Sequence, residues 1–379
     1  MVNVRSYLLA ISSSTRLFIF TALAILTPFY LLSFKMPLYL IGVLISVTTL
    51  TSIVFLYVFY FIKKTRIKLY LASSLLFASL LLIALFKNPV IFVIALLMGG
   101  ISLSGKDMTP NKAVEQYAIS HYEVIQKSKN EAYSIYNFSA YAAGTLASIS
   151  LVFINLNLVL YMLILLSAVQ FFTYWTIHVP DIERKSEGIL KAIKNLPKDA
   201  IKLSALFAMD SFGGGLITLP LIILWFKYVY NISLTTAGII FTVVNIITAI
   251  SILLSAKIAN RMGVVNTMVI THLISNVMLI LIPVYHLLLW GELFLFLRQT
   301  TSQMDVPARD SFINTIIPKE ERVKTNTIFL SSRNMSQLPG PLIGAMLIEL
   351  FPPLLFIVTG IVKSSYDISF YLNYKNYKI

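Results

Sequence analysis

The fold is decided by two stretches of sequence, FLRQTTSQMDVPARD at residues 296–310 and SSRNMSQLPGPLIGA at residues 331–345. Each stretch continues a long apolar segment and places one arginine, Arg298 or Arg333, among apolar residues. A short polar loop separates the two. Arginines are rare inside segments of hydrocarbon length, and where they occur they mark buried ion pairs or functional positions. We therefore expect this hairpin to lie in a membrane and to carry function.

The composition indicates an all-α integral membrane protein. The 379 residues are 58% hydrophobic and 12% charged, with a mean hydropathy of +0.82. Uncharged windows such as 17–34, 69–86 and 268–285 are long enough for a helix to cross about 30 Å of hydrocarbon. A soluble globule of this length has too little core to bury so many apolar residues.

Apolar runs, separated by charged or proline breaks, predict twelve membrane-spanning helices. A polar connector from Lys106 to Glu131 follows the fourth span, and its middle, residues 113–126, is predicted as an amphipathic surface helix. The predicted spans are Arg16–Phe34, Leu38–Ile62, Ile67–Phe86, Val90–Gly105, Ala132–Ile154, Leu158–His178, Leu203–Phe226, Leu234–Ala256, Val265–Tyr285, Leu287–Val306, Asn326–Leu350 and Pro353–Leu372.

The basic residues set the orientation of these spans. The loops on one side hold most of the Lys and Arg, whereas those on the other side hold only Lys35, Lys87 and Lys227. Because basic loops stay in the cytoplasm, we expect both termini to be cytoplasmic. The basic residues that give the net charge of +14 are therefore explained by membrane topology, and we expect no nucleic-acid partner.

An internal repeat divides the chain into two halves. Landmarks recur at a shift of about 197 residues: Pro110 corresponds to Pro307, and Asn137 corresponds to Asn334. We expect an N-terminal half of six helices at residues 1–178 and a C-terminal half of six at 203–379. Between them, residues 179–202 are predicted to form a cytoplasmic amphipathic linker. Parallel repeats of this kind are one plan of secondary transporters.

Several short motifs resemble those of the major facilitator superfamily, and the resemblance covers the whole chain. Residues 256–263, with Asn260, Arg261 and Gly263, resemble the cytoplasmic motif of that family, Gly-x-x-x-Asp-Arg-x-Gly-Arg. Residues 340–345 resemble its Gly-Pro-x-x-Gly-Gly motif, which marks antiporters in the fifth span. Here the motif lies in the eleventh span, and the fifth keeps only Gly144. The block at 302–309 resembles a branch of permeases with poorly described substrates.

Charged residues inside the predicted spans are candidates for a substrate site, a proton site or a gate. Asp210 and Arg298 lie at similar depth in the seventh and tenth spans, so we expect them to pair, for either structure or mechanism. Lys363 and Asp367 lie four residues apart on the last span and are expected to pair along the helix. The full set is Asp210, Arg298, Asp305, Arg333, Asn334, Lys363 and Asp367.

Glycines and prolines in the spans suggest close helix packing or hinges. Small residues let neighbouring helices approach closely, and proline loosens a helix locally. The positions are Gly144, Gly213, Gly214, Gly215, Pro339, Gly340, Pro341 and Gly344.

The leading hypothesis is a secondary active transporter that moves a small solute by alternating access. Buried carboxylates favour proton coupling, and the scarcity of fixed charges favours export of an apolar or amphipathic compound. A receptor or assembly partner that transports nothing is the alternative, and an intramembrane enzyme ranks third because no nucleophile–base pair is visible. We expect a multi-pass monomer of the plasma membrane, in contact with lipid, a small solute and protons. No cofactor or metal is expected, since the four histidines show no ligand spacing.

Overall fold

The computed structural model describes residues 2–104, 107, 109–123, 125–177, 179, 181, 198–317 and 322–377. Most of the predicted linker helix, residues 182–197, lies outside this part of the chain. The regular structure in the described ranges is helical, as the composition predicted. The helices are α1 (Val4–Ser33), α2 (Leu38–Tyr60), α3 (Thr65–Leu85), α4 (Pro89–Met98), α5 (Pro110–Tyr122), α6 (Gln126–Phe153), α7 (Leu156–Thr176), α8 (Lys198–Leu216), α9 (Leu219–Tyr230), α10 (Leu234–Met262), α11 (Val264–Leu281), α12 (Leu288–Thr301), α13 (Asp305–Ile316), α14 (Arg322–Gln337), α15 (Gly340–Leu350) and α16 (Leu354–Tyr374).

Eight helical segments of the described chain are long and apolar enough to cross a membrane. They correspond to the first, second, third, sixth, seventh, eighth, ninth and twelfth predicted spans. The segments are Val4–Ser33, Leu38–Phe59, Thr65–Leu85, Leu156–Thr176, Ala200–Tyr230, Leu234–Met262, Val264–Leu281 and Leu354–Tyr374. Spans four, five, ten and eleven stay predictions.

Four predicted spans are not continuous helices, which corrects the sequence-based boundaries. The seventh is divided between α8 and α9 by Ile217 and Thr218, just before Pro220. The eleventh is divided at Leu338 and Pro339, before Pro341. The fourth is shorter than predicted, because α4 ends at Met98, and the tenth is divided near its end between α12 and α13. Proline lacks an amide N–H and disfavours the helical conformation in the residue before it, so these prolines open new helices.

Local sequence also explains where several helices begin and end. The side chain of Asn88 accepts hydrogen bonds from the amides of Val90 and Ile91, which caps the start of α4. Asn231 ends α9 in the left-handed conformation with φ 51°. Gly263 separates α10 from α11 with φ 80°, a conformation that side chains with a Cβ rarely adopt.

The chain groups into two compact units, Met1–Arg184 with Ile232–Thr242, and Lys185–Asn231 with Val243–Ile379. In the first unit, α1 packs against α6, α7 and α5, while α3 packs against α7, α4 and α5. In the second unit, α8 packs against α14, α15 and α16, while α11 packs against α16, α12 and α13. The first helix of each predicted half therefore lies at the centre of its own unit.

Helix α10 shows the surface expected of a membrane protein. Its side chains Ile250 and Leu253 are 54% and 77% exposed, whereas Thr248 and Ser251 on the same helix are buried. A soluble helix has the opposite arrangement. Lipid can solvate an exposed apolar face, so the polar side chains point inward.

Helix α5 is not the surface helix that its amphipathic pattern predicted. Val114, Glu115, Ala118 and Ile119 are buried, and the helix packs against α1, α3 and α6. The pattern identified a helix with one apolar face correctly, but that face also carries a fully buried glutamate. A buried glutamate requires a partner, and it is described below.

Candidate functional site

The second unit contains a cluster of buried charges that begins at Asp210 on α8. Lys363 of α16 donates a hydrogen bond from Nζ to Asp210 Oδ1 at 2.6 Å. Arg309 Nη1 of α13 lies 3.6 Å from Oδ2, and His272 Nε2 of α11 lies 3.7 Å from Oδ1. Asp210 is 6% exposed. Three helices thus direct cationic or ionisable groups at a single buried carboxylate.

A second buried carboxylate, Asp367, lies on the other side of His272. His272 Nδ1 is 2.7 Å from Asp367 Oδ1, and Asn276 Nδ2 donates to Asp367 Oδ2 at 2.8 Å. The imidazole therefore lies between two carboxylates. Neutral imidazole carries an N–H on one nitrogen only, whereas protonated imidazole carries both. A proton on His272 would strengthen its attraction to Asp210 and to Asp367 together.

Asp305 and Arg309 join this cluster from α13. They lie one turn apart, and Arg309 Nη1 donates to Asp305 Oδ2 at 3.0 Å. Because Arg309 also lies near Asp210, it links the two carboxylates. Arg333 of α14 donates from Nε to Ser211 Oγ at 3.0 Å, next to Asp210 in the chain. Of the predicted site residues, Asp210, Asp305, Lys363 and Asp367 therefore belong to one group of connected contacts.

Two predicted pairings differ from those observed. Asp210 pairs with Lys363 and not with Arg298, and Asp367 pairs with His272 and not with Lys363. Arg298 Nη1 donates instead to Oε1 of its neighbour Gln299 at 3.1 Å. Matching depth and i, i+4 spacing make a pair sterically feasible, but the rotation of each helix decides which side chains meet.

The first unit contains a buried charge cluster that the sequence did not reveal. Arg16 on α1 contacts Glu115 through Nη1 and Nη2 at 3.0 and 2.6 Å, and Asp107 through Nε at 2.8 Å. The hydroxyls of Tyr136 and Tyr174 each donate to Glu115 at 2.6 Å. The Arg16, Asp107 and Glu115 side chains are each at most 1% exposed.

Arg16 was predicted from sequence to begin the first span, and that boundary is wrong. Helix α1 begins at Val4, so Arg16 lies inside the helix and away from its ends. The polar run from Ser12 to Arg16 resembled a loop before a span. One signal was available: Asp107 precedes Pro110 much as Asp305 precedes Pro307, so the repeat could have indicated paired charges in both halves.

Glu123 connects the loop after α5 to the start of α1. It accepts hydrogen bonds from Ser6 Oγ at 2.7 Å and from the Asn3 amide at 2.8 Å. Burial alone would raise the pKa of Glu123, but these hydrogen bonds to the charged form hold the pKa below its ordinary value.

The glycines of the second unit bring α8 against the junction of α14 and α15. A Cβ on Gly215 would lie 2.5 Å from the backbone oxygen of Gln337, and one on Gly340 would overlap the backbone of Gly215. A Cβ on Gly344 would lie 2.7 Å from the Leu216 oxygen. The two backbones therefore touch directly. A Cβ on Gly213 would lie 2.6 Å from Cγ of Lys363, so the glycine leaves room for the stem of that lysine.

The other predicted glycines and the cytoplasmic motif have looser surroundings. A Cβ on Gly214 would meet nothing within 4 Å, and one on Gly144 would meet only Thr21 Oγ1, at 3.3 Å. Asn260 and Arg261 are exposed at the end of α10, where Gly263 provides the positive φ of the turn.

Comparison with known proteins identifies the fold. Residues 203–364 match the profile of the Major Facilitator Superfamily. The uncharacterized membrane protein YJR124C of Saccharomyces cerevisiae is 26% identical over 148 residues, which are 39% of this chain and 33% of that protein. This match spans about a third of the relative's length.

Solved transporter structures resemble nearly the whole chain. The nucleoside transporter NupG superposes with a TM-score of 0.73 and 13% identity, covering 99% of this chain and 100% of that one. A D-xylose–proton symporter superposes with a TM-score of 0.72 and 13% identity, covering 97% of each chain. The human organic anion transporter MFSD10 superposes with a TM-score of 0.69 and 14% identity, covering 96% of this chain and 98% of that one. Residues 203–364 thus match the profile of the Major Facilitator Superfamily, and the whole chain has the fold of these solved transporters.

Proposed function

We propose that the protein is a secondary active transporter that moves a small solute by alternating access of its two halves, driven by protons. In this proposal the chain crosses the plasma membrane twelve times as a monomer. Both termini and the linker at 179–202 are cytoplasmic, because the predicted loops on that side hold most of the basic residues. We also propose export of the solute, since few of the apolar helices carry fixed charges.

One observation carries the proton coupling: His272 lies between Asp367, at 2.7 Å, and Asp210, at 3.7 Å, inside a buried cluster. A proton on the imidazole draws both carboxylates toward it, and its loss releases one of them. Asp210 then depends more on Lys363, which lies on the same helix as Asp367. Protonation of one group can thereby alter contacts among α8, α11 and α16.

The backbone contacts of α8 offer a place where such a change could become movement. Gly215 and Gly340 allow α8 to pass directly over the α14–α15 junction. Both α8 and α14 end at breaks in predicted spans. Transporter helices are often interrupted within the membrane, and proline and glycine are common positions for a kink in a helix. We propose that the glycines and Pro339 and Pro341 serve as this hinge.

Reconstitution in liposomes tests the transport proposal. The panel would include nucleosides, D-xylose and organic anions, the classes named for similar folds. We expect at least one solute to exchange across the membrane at equal pH, and to accumulate against its gradient when a pH gradient is imposed. If no solute in the panel exchanges or accumulates, the transporter proposal fails, and a receptor or assembly role becomes the better description.

A pair of carboxylate variants tests the coupling separately. We expect Asp367→Asn to abolish accumulation driven by the pH gradient while exchange at equal pH continues, because His272 loses its charged partner. The matched control is Glu349→Gln, which removes an exposed carboxylate on α15 and should leave accumulation unchanged. Normal gradient-driven accumulation by the Asp367→Asn variant would refute proton coupling through this cluster.

A further inference from the structure

Arg298 is a buried cation with no carboxylate beside it among the described residues. Its side chain lies on α12 and the residue is 8% exposed. In the described part of the chain, its guanidinium contacts one acceptor, Gln299 Oε1, and its Nε–H is buried without a hydrogen-bond partner. A buried unpaired guanidinium is costly, and the cost amounts to several kcal/mol even after relaxation.

Three other buried cations of this protein lie beside carboxylates. Arg16 lies 2.7 Å from Asp107, Arg309 lies 3.0 Å from Asp305, and Lys363 lies 2.6 Å from Asp210. No carboxylate of the described residues lies within 4.0 Å of Arg298. The difference between Arg298 and these three residues indicates a missing anion.

The neutral side chains around Arg298 hold it in place without neutralising it. Gln299 Oε1 accepts from Arg298 and also from Ser302 Oγ at 3.2 Å. Gln299 Nε2 donates to Thr248 Oγ1 of α10 at 2.5 Å. Both ends of the Gln299 amide are therefore engaged, which fixes one Nη of the guanidinium, while the Nε–H edge has no acceptor among the described residues. That edge suits an oxyanion, because a guanidinium binds carboxylate or phosphate with two parallel hydrogen bonds.

The neighbouring sequence offers no carboxylate to this edge. No Asp or Glu occurs before Asp107, and none occurs between Asp210 and Glu292. Glu292 is six residues away on the same helix, about 9 Å along the axis, and Asp305 is already bonded to Arg309. Arg298 lies ten residues beyond the first residue of α12, or about 15 Å, which is half of a hydrocarbon layer.

We propose that Arg298 binds an anionic group, a carboxylate or a phosphoryl, of the transported solute. This inference rests on the proposed transport function and narrows its substrate class to organic anions. The rest of the solute can be apolar, because α10 and α12 otherwise present mainly apolar side chains. Gln299 acts as a positioning residue that orients the guanidinium through its bonds to Ser302 and Thr248.

The first test needs no ligand and measures thermal stability of the purified full chain in detergent. We expect Arg298→Gln to leave the melting temperature unchanged or to raise it, because the substitution removes an uncompensated buried charge. Arg309→Gln, which breaks an ion pair of the same unit, should lower it. If Arg298→Gln lowers the melting temperature as much as Arg309→Gln does, Arg298 already has an anionic partner and the proposal is overturned.

The second test measures binding of defined probes, with benzoate for a carboxylate, inorganic phosphate for a phosphoryl, and benzamide as the neutral counterpart of benzoate. We expect benzoate or phosphate to bind, benzamide not to bind, and Arg298→Gln to weaken anion binding at least about tenfold. Arg298→Lys should retain part of the affinity. The charge-matched control Lys257→Gln, on the exposed surface of α10, should bind as the natural chain does.

The outcomes separate this inference from the proposed function. Binding of neither anion, equal binding of benzamide, or unchanged affinity in Arg298→Gln would each overturn the anion site. Transport of a neutral nucleoside or sugar that is insensitive to Arg298→Gln would overturn it too, but would support transport. Anion binding that depends on Arg298, without movement of any bound anion across liposomes, would support the site and refute the transporter.

Discussion

Replacing Asp210 with Asn should destabilise the protein more than any other single change in the second unit's charge cluster. The carboxylate is 6% exposed, and Lys363, Arg309 and His272 lie 2.6, 3.6 and 3.7 Å from it. In the described part of the chain, Lys363 has no other carboxylate within 4.0 Å. Removing one partner of a buried pair leaves the other charge uncompensated, so we expect a loss of about 3–5 kcal/mol in the free energy of unfolding.

The opposite change, Lys363→Met, should have a smaller effect, because Asp210 keeps two other positive or ionisable neighbours. We expect a loss of about 1.5–3 kcal/mol, which is typical for a hydrogen bond to a charged group. The double variant should lose less than the sum of the two single variants, with a coupling energy of about 1–3 kcal/mol. The assay is denaturant unfolding of the purified chain in mixed micelles, monitored by circular dichroism.

Two results would refute this reasoning. If the two losses add within about 0.5 kcal/mol, the residues are not coupled. If Lys363→Met is as harmful as Asp210→Asn, the additional contacts of Asp210 with Arg309 and His272 contribute nothing. Lys257→Met on the exposed side of α10 is the control, and surface changes of that kind usually stay within about 0.5 kcal/mol.

The other predictions use the same unfolding assay. Gly340→Ala should cost about 1–3 kcal/mol because its Cβ would overlap the backbone of Gly215, whereas Gly214→Ala should be tolerated, and equal losses would contradict the packing argument. Arg16→Gln should cost about 3–5 kcal/mol because it leaves two buried carboxylates uncompensated, and a neutral result would mean that they bind protons instead. Gly263→Ala should cost about 1 kcal/mol because of its φ of 80°, and no loss would show that the turn adjusts. Glu123 has a lowered pKa in the folded chain. The natural chain should therefore be more stable than the Glu123→Gln variant at pH 6, and this difference should shrink as the pH decreases below about 4.3. A difference in stability that is independent of pH would exclude this linkage.

Hydropathy was sufficient to predict an all-helical membrane protein, because the cost of an unsatisfied backbone in lipid leaves little other choice. Hydropathy was less reliable for predicting whether a span is one continuous helix. The predicted seventh and eleventh spans contain the apolar residues of a single helix, but Pro220 and Pro341 begin new helices inside them. A hydropathy average does not distinguish a straight helix from two short ones. The prolines were visible in the sequence, although proline alone does not specify whether a helix bends or breaks.

Buried charges were found more easily than their partners. Asp210, Lys363 and Asp367 were identified because charges in apolar spans are rare. Their observed pairing depends on the rotation of α8, α11 and α16, which no linear spacing provides. His272 was set aside because it had no metal-ligand spacing, yet a histidine in the middle of an apolar span was itself a signal. Arg16 was missed because its acidic partners lie in a segment that resembled a surface connector.

In both units a charge contact joins corresponding helices, with the cation and the anion exchanged between them. In the first unit, α1 provides the cation Arg16 and the segment around α5 provides Asp107 and Glu115. In the second unit, α8 provides the anion Asp210, and α13 provides Arg309. Coulomb attraction between two charges is unchanged when both signs are exchanged, so the repeat can maintain the contact while losing any similarity in sequence.

The same comparison separates scaffold from function. A charge contact between the first helix of the half and the segment at α5 or α13 occurs in both units, so we interpret it as part of the common scaffold. Lys363, His272 and Asp367 extend the second cluster with two further helices, whereas tyrosines complete the first. Tyrosine binds protons too tightly to exchange them near neutral pH, but histidine can do so. Variants of His272 should therefore change the pH dependence of transport, whereas Tyr174→Phe should change stability and leave that dependence intact.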